Sequence, residues 1–78
     1  MNKQNEIIRI IQKVSKQSAA PDTSESLFDA GYLDSFALTD MIAVLEEKFG
    51  ISIPDADVTP RKFETVEKIE EYLETHGV

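Results

Sequence analysis

Apolar residues recur at α-helical spacing in three segments of the chain. The first segment covers about residues 3–17, the second covers residues 36–49, and the third starts after Thr65. The apolar faces of these segments contain the following residues: Ile7, Ile8, Ile10, Ile11 and Val14; Leu38, Met41, Ile42, Leu45 and Phe49; Val66, Ile69, Tyr72 and Leu73. An amphipathic helix buries its apolar face against another element, so the pattern predicts an all-α protein with three main helices.

Both ends of the second helix carry recognisable signals. Asp34 is a good N-cap, because its carboxylate can accept a hydrogen bond from an N–H group of the first turn. Ser35 then takes the first helical position, where its hydroxyl is expected to face solvent. Leu33 and Leu38 flank the cap at the spacing of a hydrophobic staple. Gly50 follows the last apolar residue and predicts a left-handed cap at the end of the helix.

The connection from the first helix to the second is long. Residues 18–26 contain proline, serine, threonine and aspartate, which is typical of a loop. A loop of this length in a small domain is expected to be organised or functional. Four apolar residues near its end are expected to pack onto the core: Leu27, Phe28, Tyr32 and Leu33.

The connection from the second helix to the third contains two short patterns. Apolar and polar residues alternate at positions 51–53, as in a strand, but no second strand is predicted to pair with it. Thr59 followed by Pro60 is a cap with a proline in the first turn, and it predicts a short helix that ends at Phe63. We therefore expect a small four-helix bundle with three main helices, one short helix and a long first loop.

Four stretches of the sequence, within about residues 27–73, follow the order found in one protein family. They are Leu27-Phe28-Asp29 with Gly31, then Asp34-Ser35-Phe36, then Leu45-Glu46-Glu47-Lys48-Phe49-Gly50-Ile51-Ser52-Ile53-Pro54, then Phe63-Glu64-Thr65-Val66. In this order the chain resembles the acyl carrier protein family, which includes aminoacyl and peptidyl carriers. The resemblance implies a 4′-phosphopantetheine arm joined to Ser35 through a phosphodiester, with Asp34 beside it. It also implies an acyl or aminoacyl cargo held as a thioester, and a protein that is not an enzyme.

The details around the serine are similar to one part of that family. Tyr32 and Leu33 separate the glycine from the Asp-Ser pair, and Phe36 follows the serine. Ala37 stands where fatty-acid carriers commonly have an acid, and Lys48 interrupts the acidic run. These features look more like stand-alone carriers of D-alanyl, aminoacyl or unusual extender groups than like the housekeeping fatty-acid carrier.

The outward side of the second helix is the predicted surface for partner recognition. It combines acids with one aromatic and one small apolar residue: Phe36, Asp40, Ala43, Glu46 and Glu47. The resemblance implies three partners, namely a phosphopantetheinyl transferase, a ligase that loads the acyl or aminoacyl group, and a downstream synthase or transferase. Phe36 has two interpretations, either an anchor in a partner interface or a ring that packs over Tyr32 or Leu33.

Charge and composition restrict the other functions. The chain has 78 residues and a formal net charge of −7, which favours a single domain over residues 1–78 with basic protein partners. Nucleic acids and anionic membranes would be repelled. There is no cysteine, and no apolar run has the length of a membrane span or a signal peptide. We expect a cytoplasmic monomer without membrane insertion.

Two other kinds of site fit the sequence poorly. The stretch that starts at Asp55 begins like a calcium loop, but Pro60 replaces its glycine and Val66 replaces its final glutamate, so no metal is expected. Ser35 and the single histidine, His76, are residue types of a hydrolase, but the serine has no G-x-S-x-G turn. No catalytic residue is predicted.

One alternative function uses the same surface without any arm. An unmodified acidic helical adaptor would bind basic partners through Asp40, Glu46 and Glu47. Charge and helical periodicity fit this function equally well, so only the attachment of the arm distinguishes the two. Measuring the intact mass after treatment with a phosphopantetheinyl transferase, coenzyme A and magnesium separates them.

Overall fold

The computed structural model of the protein describes residues 3–78. It contains three α-helices: α1 at Lys3–Ser15, α2 at Ser35–Phe49 and α3 at Val66–Thr75. A short 3-10 helix, Asp55–Asp57, lies between α2 and α3, and the described part of the chain contains no strand. The predicted all-α class with three main helices is confirmed.

Helix α1 ends two residues earlier than predicted. The residue that follows it, Lys16, has a φ of 59°, in the left-handed region that interrupts a right-handed helix. The chain then turns, and the side chain of Gln12 donates a hydrogen bond of 2.7 Å to the carbonyl oxygen of Ser18. The predicted helix continued to residue 17 because Lys16 and Gln17 both have high helix propensity.

Both ends of α2 and the start of α3 are where the sequence predicted them. Gly50 caps α2 with a φ of 67°, and its N–H group donates a hydrogen bond of 2.9 Å to the carbonyl oxygen of Glu46. The side chain of Thr65 caps α3 by accepting the N–H of Lys68 at 3.1 Å. Both caps satisfy backbone groups that a helix end leaves without partners.

The core consists of one cluster of apolar side chains from the three helices and both connections. Its buried members are Ile7, Ile10, Ile11, Leu27, Tyr32, Leu33, Leu38, Met41, Ile42, Leu45, Ile53, Phe63, Val66, Ile69, Tyr72 and Leu73. Ile8, Val14 and Phe49 are half-buried and pack against this cluster. The apolar faces read from the sequence therefore point inward as predicted.

Helix α1 packs against both α2 and α3, whereas no Cα atom of α2 lies within 8 Å of a Cα atom of α3. Residues 50–65, which we call the bridging segment, connect these two helices. The segment contributes the buried side chains of Ile53 and Phe63 to the core. It therefore completes the fold on the side where α2 and α3 do not meet.

The predicted short helix at residues 60–63 is wrong. Those residues form a hydrogen-bonded turn, in which the N–H of Lys62 donates to the carbonyl oxygen of Thr59 at 3.2 Å. After this turn the carbonyl oxygen of Glu64 accepts the N–H of Leu27 at 2.7 Å, which joins the chain to the first connection. The short 3-10 helix lies earlier, at Asp55–Asp57.

The long first connection packs onto the core as predicted. Leu27, Tyr32 and Leu33 are buried, and Phe28 is half-buried against the core. The N–H groups of Tyr32 and Leu33 both donate to the carbonyl oxygen of Leu27, at 2.8 and 3.0 Å. Glu67 at the start of α3 donates its N–H to the carbonyl oxygen of Thr23 at 3.1 Å. These bonds fix the connection that leads to α2.

Candidate functional site

The start of α2 is built around the cap that Asp34 provides. The backbone of Asp34 is extended, with φ −132° and ψ −171°, and its Oδ1 accepts the N–H of Ala37 at 2.8 Å. Its carbonyl oxygen accepts the N–H of Leu38 at 2.8 Å, which is the first hydrogen bond of the helix. Asp34 is therefore the N-cap, as the sequence predicted.

Ser35 is the first residue of α2 and is exposed to solvent. Its carbonyl oxygen accepts a hydrogen bond of 3.0 Å from the hydroxyl of Thr39. The hydroxyl of Ser35 itself makes no hydrogen bond with any residue from 3 to 78. An exposed, unengaged hydroxyl on a rigid helix end is free to be modified.

The chain on both sides of Ser35 is fixed by buried residues. Leu33 and Leu38 are buried in the core on either side of the cap, in agreement with the predicted hydrophobic staple. Gly31 takes a φ of 85°, which favours glycine, and its carbonyl oxygen accepts the side-chain amide of Gln17 at 3.0 Å. The position of the serine is thereby defined relative to the core.

The electrostatics of this helix end suit a phosphate group. An α-helix leaves the N–H groups of its first turn without partners inside the helix, and the positive end of its macrodipole lies there. The charge of Asp34 opposes an anion, but its Oδ1 is engaged by the N–H of Ala37. The residues present therefore fit a phosphodiester on the Ser35 hydroxyl.

Comparison with known proteins assigns the family. Residues 5–73 match the model of the family described as "Phosphopantetheine attachment site". The chain belongs to this family. It is similar to the D-alanyl carrier protein of Streptococcus sanguinis, with 35% identity over 66 residues, covering 85% of this chain and 84% of the relative. The D-alanyl carrier proteins of Streptococcus suis and Streptococcus gordonii share 32% and 34% identity, over 88% and 91% of this chain and 87% and 90% of the relatives.

Membership of the family decides between the two functions that charge and periodicity left open. The protein is a carrier of an acyl or aminoacyl group on covalently attached 4′-phosphopantetheine, and it is not an enzyme. The unmodified adaptor is therefore excluded. The relatives are named D-alanyl carrier proteins, which agrees with the similarity noted around the Asp-Ser pair.

Phe36 of the carrier lies beside the serine and is 81% exposed. Among residues 3–78 it is the large hydrophobic residue that is exposed to solvent. The ring therefore does not pack over Tyr32 or Leu33, which excludes one of its two interpretations in this structure. The interpretation that is left is an anchor in a partner interface, where aromatic residues are enriched.

The predicted recognition residues divide into two groups. Asp40, Ala43 and Glu47 are exposed on the outward side of α2, as the helical wheel indicated. Glu46 is half-buried, and its Oε2 accepts the N–H of Ile53 at 2.7 Å. The wheel could not show this contact, because it depends on how the chain folds back after Gly50.

His76 lies at the C-terminal end of α3. Within residues 3–78 it makes no hydrogen bond with Ser35 or Asp34. It is the C-cap of α3, and its Nδ1 lies 2.9 Å from the carbonyl oxygen of Tyr72. The rings of His76 and Tyr72 are stacked with centroids 4.3 Å apart. The hydrolase arrangement weighed from the sequence is therefore not formed.

Tyr72 and Asp57 form a polar contact that the sequence did not reveal. The phenol of Tyr72 donates a hydrogen bond of 2.7 Å to Oδ2 of Asp57, and Lys62 Nζ lies 2.9 Å from Oδ1. Burial and the hydrogen bond to this carboxylate raise the pKa of Tyr72 to about 12. The hydrogen bonds from Tyr72 and Lys62 lower the pKa of Asp57. Tyr72 was predicted only as a core residue.

Two further findings concern metals and membranes. Residues 3–78 bring no three acidic, histidine or cysteine side chains together in a group that could hold a metal ion. None of the helices in the same range combines the length and the apolar character needed to cross a membrane.

Proposed function

We propose that Ser35 is the residue that carries the 4′-phosphopantetheine arm. The observation that supports this assignment is the free, exposed hydroxyl at the first position of α2, directly after a cap that fixes the helix end. When bound, the arm supplies a terminal thiol that holds the cargo as a thioester.

The residues around Ser35 have separate tasks in this proposal. Asp34 fixes the start of the helix through the N–H of Ala37. The first-turn N–H groups and the helix dipole stabilise the negative charge of a phosphodiester. Leu33 and Leu38 anchor this end of the helix in the core, so the hydroxyl is presented at a constant position.

We propose that partner enzymes meet the outward side of α2. A phosphopantetheinyl transferase, a loading ligase and a downstream synthase or transferase would share this surface. Phe36 supplies an apolar contact next to the serine, Ala43 leaves room for a close approach, and Asp40 and Glu47 attract basic partner residues. Residues 1–78 act as a single, monomeric, cytoplasmic carrier domain in this proposal.

We propose an aminoacyl cargo, with D-alanyl as the first candidate. The relatives at 32–35% identity are named D-alanyl carrier proteins, and they are covered over most of their length. The test is to incubate the arm-bearing protein with ATP and a ligase that activates D-alanine, and to measure intact mass. L-alanine and a medium-chain fatty acid with its own ligase serve as the comparison cargoes. Loading of the fatty acyl group but not of D-alanine would reject this cargo.

Intact mass also tests the attachment site. Wild type, Ser35→Ala and Ser52→Ala are treated with a phosphopantetheinyl transferase, coenzyme A and magnesium. Ser52 is an exposed serine in the bridging segment and serves as the matched control. Wild type and Ser52→Ala should gain one arm, and Ser35→Ala should gain none. Modification of Ser35→Ala would refute the assignment.

A further inference from the structure

The bridging segment depends on side chains for its attachment to α2 and α3. The backbones of these two helices do not approach each other, so the segment spans the distance between them. Ile53 and Phe63 are buried anchors, whereas Ser52, Pro54, Asp55 and Ala56 are exposed. These exposed residues flank and follow Ile53, whose N–H is bonded to the side chain of Glu46 in α2.

Glu46 joins the beginning of this segment to α2. Its carbonyl oxygen accepts the N–H groups of Gly50 and Ile51, at 2.9 and 3.2 Å. Its side-chain Oε2 accepts the N–H of Ile53 at 2.7 Å. A charged acceptor makes a short, strong hydrogen bond with a backbone donor. Glu46 therefore holds the first four residues of the segment through the N–H groups of Gly50, Ile51 and Ile53.

Asp57 joins the middle of the segment to α3 through the two bonds already described. Tyr72 of α3 donates to Oδ2, and Lys62 of the following turn contacts Oδ1. One carboxylate thus connects the 3-10 helix, the turn and α3. Both polar contacts hold parts of the segment that have no regular backbone pairing with a helix.

We propose that Glu46 and Asp57 are positioning residues that hold the bridging segment in the shape that partner enzymes meet beside α2. This inference rests on the proposed function of the α2 surface. Glu46 acts by holding Ile53 through a hydrogen bond, and not by attracting charged groups of a partner. It is thereby separated from Glu47, which is exposed and makes no hydrogen bond or ion pair within the described range.

Glu46 and Glu47 form a matched pair for the test, because they are adjacent and chemically identical. Replacement of Glu46 by glutamine keeps an oxygen that accepts the Ile53 N–H but removes the charge. The same change at Glu47 removes only the charge. Alanine removes both properties at either position. The four variants are Glu46→Gln, Glu46→Ala, Glu47→Gln and Glu47→Ala.

The first measurement is amide hydrogen exchange at Ile53 in the protein without its arm. Glu46→Ala should speed exchange about tenfold or more, as expected for the loss of a charge-assisted hydrogen bond. Glu46→Gln should speed exchange much less than Glu46→Ala, because its amide oxygen still accepts the Ile53 N–H through a weaker, neutral hydrogen bond. Neither Glu47 variant should change the rate. Exchange in Glu46→Ala equal to wild type would overturn the positioning role.

The second measurement is the KM of the phosphopantetheinyl transferase for each variant. Glu46→Ala should raise KM about three- to tenfold with little change in kcat, and Glu46→Gln should restore it. At Glu47, glutamine and alanine should raise KM equally, since only charge is lost. A Glu46→Gln variant with normal exchange but the KM of Glu46→Ala would show that Glu46 contacts partners by its charge. Absence of modification in wild type would instead refute the proposed function, while hydrogen exchange still tests the positioning role.

Tyr72 and Tyr32 give a second matched pair for Asp57. Both rings are buried, but the Tyr32 hydroxyl makes no hydrogen bond within residues 3–78. Tyr72→Phe should speed exchange of the Val58 amide about threefold or more, whereas Tyr32→Phe should leave it unchanged. Equal effects of the two substitutions, or no effect of either, would overturn the role of Asp57.

Discussion

The phenolic hydroxyl of Tyr72 donates a hydrogen bond of 2.7 Å to the carboxylate of Asp57. Burial and this bond raise the pKa of the phenol, and the bonds from Tyr72 and Lys62 lower the pKa of the carboxyl. The pair therefore stays in one protonation state, a neutral phenol facing a carboxylate, over a wide range of pH.

This contact should make stability depend on pH at both extremes. A raised tyrosine pKa contributes stability in full below the ordinary value of 10.0, and the contribution is lost as pH rises towards about 12. A lowered aspartate pKa contributes above the ordinary value of 3.8 and is lost as pH falls through the folded-state value. Thermal melts followed by circular dichroism should show a smaller alkaline decrease in melting temperature for Tyr72→Phe than for wild type. Parallel alkaline curves for the two proteins would contradict the assignment.

Ser35→Ala should fold like wild type. The hydroxyl makes no hydrogen bond in the described part of the protein, and alanine has high helix propensity. We expect a change in unfolding free energy within about 0.5 kcal/mol, as is usual for exposed sites. Urea denaturation and the helical circular dichroism signal check this. A strongly destabilised variant would mean that loss of the arm in Ser35→Ala reflects misfolding.

Asp34→Ala should destabilise the protein by about 1 kcal/mol, the usual effect of losing an N-cap side chain. The lost contact is the bond of 2.8 Å to the N–H of Ala37. Asp34→Ser keeps a capping oxygen and serves as the control, with stability close to wild type. Urea denaturation measures both. If serine is as unfavourable as alanine, the carboxylate acts here through its charge and not as a cap.

Phe36→Ala should weaken binding to the loading ligase by about 1 to 4 kcal/mol, the range for aromatic anchors in interfaces. The melting temperature should change little, because the ring is 81% exposed. Calorimetric titration and thermal melts on the same samples measure the two effects. Phe28→Ala is the comparison, since that half-buried ring packs on the core and its loss should lower the melting temperature. Unchanged affinity for Phe36→Ala would remove the residue from the recognition surface.

The double reversal Asp40→Lys with Glu47→Lys should slow association with basic partners more than it speeds dissociation. Both residues are exposed, so their charges act mainly on the rate of encounter. Glu46 is left unchanged, because its substitution would also remove the hydrogen bond to the N–H of Ile53. Stopped-flow association rates at low and high salt provide the measurement. A difference between wild type and variant that persists at high salt would argue against steering by charge.

Local signals in the sequence predicted much of the fold and the helix end at which Ser35 lies. Asp34, Gly50 and Thr65 mark helix ends because capping is decided by a few neighbouring residues. The apolar stripes were reliable because one face of each helix is buried in a single core. The place of Ser35 at the first position of α2 followed from the cap directly before it, whereas its proposed role came from the family resemblance.

The features that the sequence did not predict depend on contacts between distant residues. The segment that follows Thr59 was predicted as a short helix but forms a turn, and the chain after it is bonded to the distant first connection through the carbonyl oxygen of Glu64 and the N–H of Leu27. Glu46 was placed on the outer surface because a helical wheel contains no information about the chain after Gly50. Tyr72 was predicted only as part of the apolar face of α3. Its hydrogen bond to Asp57 was missed because Asp57 lies in the 3-10 helix, a different part of the chain.

The central place of α1 affects how inactive variants should be interpreted. This helix provides no residue of the site, yet it alone among the three helices packs against both of the others. Ile7 and Ile11 are fully buried on its inner face. A genetic screen for lost carrier function would therefore also recover substitutions at these positions, far from the serine. Such variants report on folding, and only a stability measurement separates them from true defects in modification.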